Sequence, residues 1–172
     1  MTKFLTKAAL AATVALFATP ALAAPAGTSE FDAKAKIVKP VTLTKVTDLD
    51  FGTTTMNPAL TSATVTVGDT TGDVAVCSST DLSCSGGFPA SFTLSSGVQG
   101  QTVQISFDDA PTQLDHTTIP GSSVPFSLNA VEDVLLDSVG AGSFNVGGTI
   151  TVDSGTDDGD YKATVNIVAN YL

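Results

Sequence analysis

The chain has 172 residues, 17 carboxylates against 7 lysines, one histidine, no arginine and no tryptophan, for a formal net charge of −10. A chain this acidic, with no basic patch to neutralise phosphates, is expected to bind neither nucleic acid nor anionic lipid. Its length suits one domain, and the lack of Trp and Arg removes two common anchors of protein interfaces.

The first residues have the pattern of a secretory signal. Lys3 and Lys7 precede an apolar run of eleven, Ala8 to Ala18, then Pro20 and the small-x-small site Ala21-Leu22-Ala23. A membrane span needs about 20 residues, so this run is too short to stay as an anchor. Cleavage is expected after Ala23, and no later stretch is long and apolar enough to insert. The product is expected to be exported to the periplasm, the cell surface or the medium. It would be one domain of about 150 residues, enough to bury about 68–70% of its unfolded surface without metals.

Charge is segregated. Lys34, Lys36, Lys39 and Lys45 lie in one short segment, whereas from Val46 onward fifteen acids face the single Lys162. The lysines read either as the solvent face of a first strand or as a basic strand that docks on an acidic neighbour.

Phe31, Ala33, Ala35 and Ile37 alternate with polar residues, which predicts an extended segment with one apolar face. Pro40 removes a ladder donor and fixes φ, so this segment either switches sheets there or is a separate strand able to leave the domain. The expected division is 1–23 signal peptide, 24–38 extension or first strand, and 39–172 domain. No segment shows helical periodicity. Strand-like alternation recurs at Lys36 to Val46, Leu49 to Thr55, Ala63 to Val67, Val74 to Cys77, Ala90 to Ser95, Thr102 to Phe107, Val124 to Val131, Gly148 to Val152 and Tyr161 to Tyr171. Short strands separated by Gly, Asp, Ser and Pro predict an all-β sandwich or barrel. Glu132 to Asp137 fits either a helical turn or a short strand.

Cys77 and Cys84 are the only cysteines, and in an oxidising compartment they are expected to pair. The spacing suits neither a metal site, without nearby His, nor a C-x-x-C redox site. The serine-rich stretch between them reads as a loop or hairpin tip. The closing run places Tyr161, Ala163, Val165, Ile167, Ala169 and Tyr171 on one face, as expected of a docked strand.

Catalytic signals are sparse. His116 lies in the polar stretch Gln113–Thr118, read as a loop, and no Gly-x-Ser-x-Gly elbow exists to present a serine. The expectation is a protein without catalytic residues or cofactor. The turn Asp153-Ser154-Gly155-Thr156-Asp157-Asp158-Gly159-Asp160 gathers carboxylates as a calcium loop does. Asp153, Asp157, Asp158 and Asp160 are therefore a weak metal candidate. The order Asp-x-Asp-x-Asp-Gly and the distant Glu are missing, so a solvated hairpin turn is the expected role.

Three stretches carry a resemblance: Ala33 to Thr44 leading into Asp48-Leu49-Asp50-Phe51-Gly52, then Gly140 to Val152, then Gly159 to Tyr171. Together they resemble the exported bacterial domains of unknown function numbered 4402, over nearly the whole chain after the signal. That family in turn is similar to the spore-coat-U and archaic chaperone–usher pilins, with a Phe-Gly box and a closing strand bearing a near-terminal tyrosine. The resemblance implies an immunoglobulin-like, pilin-like β-sandwich, incomplete until an N-terminal extension of another copy, or a periplasmic chaperone, supplies a strand. Phe31, Ala33, Ala35 and Ile37 would then be the donated face. The Cys77–Cys84 loop departs from pilins that pin their first strand with a disulfide. The other expectation is a monomeric surface module binding calcium or a glycan through the Asp153–Asp160 turn.

Overall fold

The structure is a computed structural model that describes residue 27, residues 29–129 and residues 131–172. The proposed signal, 1–23, lies outside the described residues. The chain divides into two compact units, Met1–Lys36 and Ile37–Leu172. In the first, the described residues are exposed and form neither helix nor strand.

The second unit is all β, with fourteen strands and no helix among the described residues. In chain order they are β1 (Thr42–Thr47), β2 (Thr53–Met56), β3 (Ser62–Val67), β4 (Val76–Cys77), β5 (Leu82–Ser85), β6 (Ala90–Ser95) and β7 (Thr102–Asp108). There follow β8 (Gln113–His116), β9 (Ser123–Leu128), β10 (Val134–Leu135), β11 (Gly142–Val146), β12 (Gly148–Asp153), β13 (Tyr161–Lys162) and β14 (Asn166–Tyr171). One large sheet has the order β13-β8-β9-β12-β3-β4; two three-stranded sheets run β1-β6-β11 and β10-β7-β14; β2 and β5 form a ribbon. Every pairing is antiparallel.

β-Branched residues at alternate positions make the inner faces. On β3, Ala63, Val65 and Val67 are buried while Thr64 and Thr66 are less so, and Thr66 bonds Thr149 across the ladder at 3.0 Å. The sandwich has two cores. Leu60, Ala63, Val65, Leu82, Val124, Phe126, Ile150 and Val152 cluster on the large sheet. Leu94, Val103, Ile105 and Leu136 cluster on the smaller ones.

The structure differs from the sequence reading at several places. Residues 31–41 form no strand, so the first run begins only at Thr42, beyond Pro40. The serine-rich stretch between the cysteines contains β5, because Leu82 is buried in the first core and Thr53–Met56 supply a ladder. Gln113–His116, read as loop, is β8, whose polar composition reflects an exposed face rather than a lack of partners. Of the two alternatives for Glu132 to Asp137, the short strand is found, at Val134–Leu135.

Cys77 and Cys84 form a disulfide with Cα atoms 5.8 Å apart. It is not a hairpin staple: β4 pairs with β3 and β5 with β2, so the bond ties the β2–β5 ribbon to the edge of the large sheet. Replacing both cysteines by alanine should cost about 2–2.5 kcal/mol, the loop-closure entropy of a short ring. A urea titration of the two proteins checks this.

The turn after β10 is organised by Asp137, whose carboxylate accepts the N–H groups of Val139 and Ala141, both at 2.9 Å. The Ala141 N–H, followed by that of Val139, holds this carboxyl below the usual Asp range. A depressed folded-state value stabilises the fold above the unfolded value of about 3.9 and ceases to do so as pH falls through the folded value. The Asp137→Ala variant should therefore unfold at lower urea than the parent at pH 7, and the gap should close as the pH is taken below about 4.

Candidate functional site

A groove of about 900 Å³ opens between the two cores. Phe126, Val124, Leu114 and Ile150 line it from the large sheet, and Phe92, Phe107 and Ile167 from the smaller ones. The lining is mixed, with Asp48, Asp50, Thr53, Thr54 and Lys162 beside these apolar side chains.

The Asp48–Gly52 stretch forms one wall. Leu49 and Phe51 pack on the first core, and the Phe51 ring meets Phe126 edge-on at 6.0 Å. Asp50 is bridged to Phe88 by two backbone bonds of 3.0 and 2.9 Å, and its carboxylate accepts the Gly52 N–H at 2.7 Å. That is an Asx-turn. Asp48 does otherwise: its carboxylate takes the Lys45 ammonium at 2.6 Å.

The closing segment also lines the groove, through Tyr161 to Val165 and Ile167. It is not one strand. Tyr161–Lys162 pair with β8 of the large sheet and Asn166–Tyr171 with β7, leaving Ala163, Thr164 and Val165 in neither ladder. The segment thus crosses between sheets. The alternation is nonetheless unbroken, with Tyr161, Ala163, Val165, Ile167, Ala169 and Tyr171 half-buried and their neighbours exposed. Tyr161 and Val165 pack on the first core; Ile167, Ala169 and Tyr171 pack on the second. Each tyrosine pins a loop: Tyr161 donates to the Asp157 carbonyl at 2.7 Å, and Tyr171 accepts the Val98 N–H at 2.9 Å.

The edges of the sheets are unequally protected. β4, β10 and β13 have two residues each. β1 carries a register shift and pairs the exposed Lys45 opposite Phe92. β11, five residues without charge, proline or register shift, is also an edge. Short strands, bulges and charges discourage strand addition. β14 has six residues with no charge, proline or register shift. The Leu172 N–H bonds Thr102 of β7, so by strand alternation the N–H and C=O groups of Ile167, Ala169 and Tyr171 point to the open side.

His116 ends β8 and is nine-tenths buried. Its Nδ1 accepts the N–H groups of Thr118 and Ile119 at 3.1 and 3.0 Å, so Nε2 bears the proton and donates to the Asp158 carbonyl at 2.9 Å. The Tyr161 ring stands edge-on at 4.9 Å, and a side chain at Gly159, where φ is +146°, would collide with the imidazole. With both nitrogens engaged by backbone, this histidine fastens the 156–160 turn to β8. Asp153 bonds within its own turn, to Gly155 N–H at 2.8 Å. Asp157, Asp158 and Asp160 are exposed, and among the described residues no group of three His, Cys, Asp or Glu is arranged to hold a metal.

The family model described as a domain of unknown function, DUF4402, matches residues 41–171, from the residue before β1 to the last of β14. The chain belongs to the DUF4402 family. No curated protein and no solved structure matches it. The DUF4402 match includes both groove walls and begins after the alternating segment 31–37, in which Phe31 and Ile37 are 91% and 94% exposed. No local pattern marks the groove, because its walls lie more than a hundred residues apart in the chain.

Proposed function

We propose that this DUF4402 protein is an exported, non-enzymatic structural subunit of the cell surface, with an immunoglobulin-like, pilin-like sandwich completed by a strand from outside. The N-terminal segment of one copy, presenting Phe31, Ala33, Ala35 and Ile37, fills the groove of the next and pairs along β14. A periplasmic chaperone would occupy the same groove before assembly. The observation that carries this reading is that the groove, with its apolar floor of Val124, Phe126, Phe107 and Ile167, runs beside the open edge of β14. An apolar small molecule would cover the groove but leave the edge unpaired, whereas an extended chain satisfies both. Seven extended residues span about 20 Å, close to the length of β14.

Light scattering on the chain from Ala24 to Leu172, with an unheated detergent gel beside it, tests the proposal. A ladder of multiples that collapses only on boiling supports strand exchange. A clean monomer over a range of concentrations argues that the fold is complete alone.

A second reading, a monomeric module binding a glycan, draws on a polar cleft of about 310 Å³ between Ser122, Ser123, Thr151 and the Asp153–Asp157 turn. Several of its polar groups already bond within the protein, Asp153 with Gly155 and Ser122 with Tyr161. That leaves fewer donors and acceptors for a sugar, and the groove is the better supported site.

A further inference from the structure

The charges at the groove are unevenly placed. Lys45 and Asp48 neutralise each other at 2.6 Å, which leaves Asp50, Asp157, Asp158 and Asp160 against Lys162. All four carboxylates are exposed. Three of them sit on a turn that is held in place. The Asp157 carbonyl takes the Tyr161 hydroxyl, the Asp158 carbonyl takes His116 Nε2–H, and the Asp160 carbonyl takes the Thr117 N–H at 2.8 Å. These bonds hold the backbone of the turn, so its exposed carboxylates form a negative rim on the groove just before residues 163–165 cross between sheets.

The N-terminal segment is polarised in the opposite sense. Glu30 and Asp32 come first, then Lys34, Lys36 and Lys39, and all of these residues are exposed. With Ala33, Ala35 and Ile37 facing a groove, strand alternation puts Lys34 and Lys36 on the other face, where long flexible stems can reach a rim. Lys34 meets Asp32 at 3.4 Å with both side chains 83% exposed, a pair weak enough to exchange partners.

We infer that the rim formed by Asp157, Asp158 and Asp160 recognises the lysine-bearing half of the incoming segment of a second copy, and so selects this chain's own extension over other apolar strands. The inference rests on the strand-donation reading: the apolar face supplies adhesion, and the rim supplies choice and speed. Exposed complementary charges act mainly on encounter, and their influence fades once the Debye length drops below about 10 Å.

Charge exchange in the full chain from Ala24 to Leu172 tests it, with assembly followed by light scattering at low and high NaCl. K34E/K36E reverses the donor and D157K/D158K reverses the rim, and unchanged thermal midpoints confirm that each variant folds. Each reversal should slow growth on the order of tenfold at low salt, an effect that shrinks at high salt, and the quadruple variant should recover most of the parent rate. Reversals that assemble at the parent rate, or a quadruple variant as slow as the doubles, would overturn the rim's role while leaving strand donation standing. A parent chain that never assembles defeats strand donation itself, and this inference with it.

Discussion

Removing residues 24–38 should abolish assembly and leave a folded monomer. None of the described residues in that stretch belongs to a strand, and Phe31 and Ile37 are almost wholly exposed, so their loss takes little from the domain. Both residues would be buried in a groove of the next copy. Burying a large apolar side chain is worth roughly 1.5–3 kcal/mol, so exposing two of them in a partner costs about 3–6 kcal/mol of association, a hundredfold or more in affinity. The double variant Phe31→Asp/Ile37→Asp, which keeps the chain length, should therefore lose the boiling-sensitive ladder as the deletion does. Analytical ultracentrifugation beside circular dichroism separates the outcomes. A deletion that unfolds an otherwise monomeric protein would make the segment an ordinary first strand and remove the donation proposal.

The second large effect is expected at Gly52. Its φ is +71°, in the left-handed region that L side chains avoid, and it follows the Asx-turn of Asp50. A Cβ there would be driven against the carbonyl oxygen of Ser85 and the backbone of Gly86 and Gly87. Those atoms belong to the chain leaving β5, which the Cys77–Cys84 bond ties down, so they have little freedom to move aside. Gly52→Ala should cost about 3 kcal/mol, from positive-φ strain together with overpacking against backbone. The damage should also spread to the groove, since Leu49 and Phe51 hang from the same stretch. Urea unfolding measures the loss, and a midpoint within experimental error of the parent would show that the loop after β5 can yield. Asp50→Asn, which retains an acceptor for the Gly52 N–H, should be much milder.

The local pattern of this sequence carries the class of fold. Periods of two over Ala63–Val67, Thr102–Phe107 and Gly148–Val152 mark half-buried strands because side chains must alternate across a pleated sheet, and each appears within a residue of its expected bounds. The cysteine pair was likewise legible, as its spacing suits neither a metal site nor a redox site. β5 and β8 were not, because a polar strand is stabilised by a ladder partner distant in sequence, about thirty residues for β5 and β2. The same limit governs His116. Its residue type suggested chemistry, but its role depends on Thr118, Ile119 and Asp158 converging on two nitrogens, which only folding arranges.

The closing run shows the division most plainly. Alternation in Tyr161–Tyr171 determined which side chains face inward, a local property of extended backbone. Which sheet each residue joins was decided by long-range pairing, β8 for Tyr161 and β7 for Ile167. The crossing between them leaves an edge and a groove unfilled. Sequence by itself determined the class of fold and the inner faces of its most regular strands. Tertiary structure alone decided that the two cores stand apart, because a groove is a relation between surfaces distant in the chain, and no local pattern encodes the space between them.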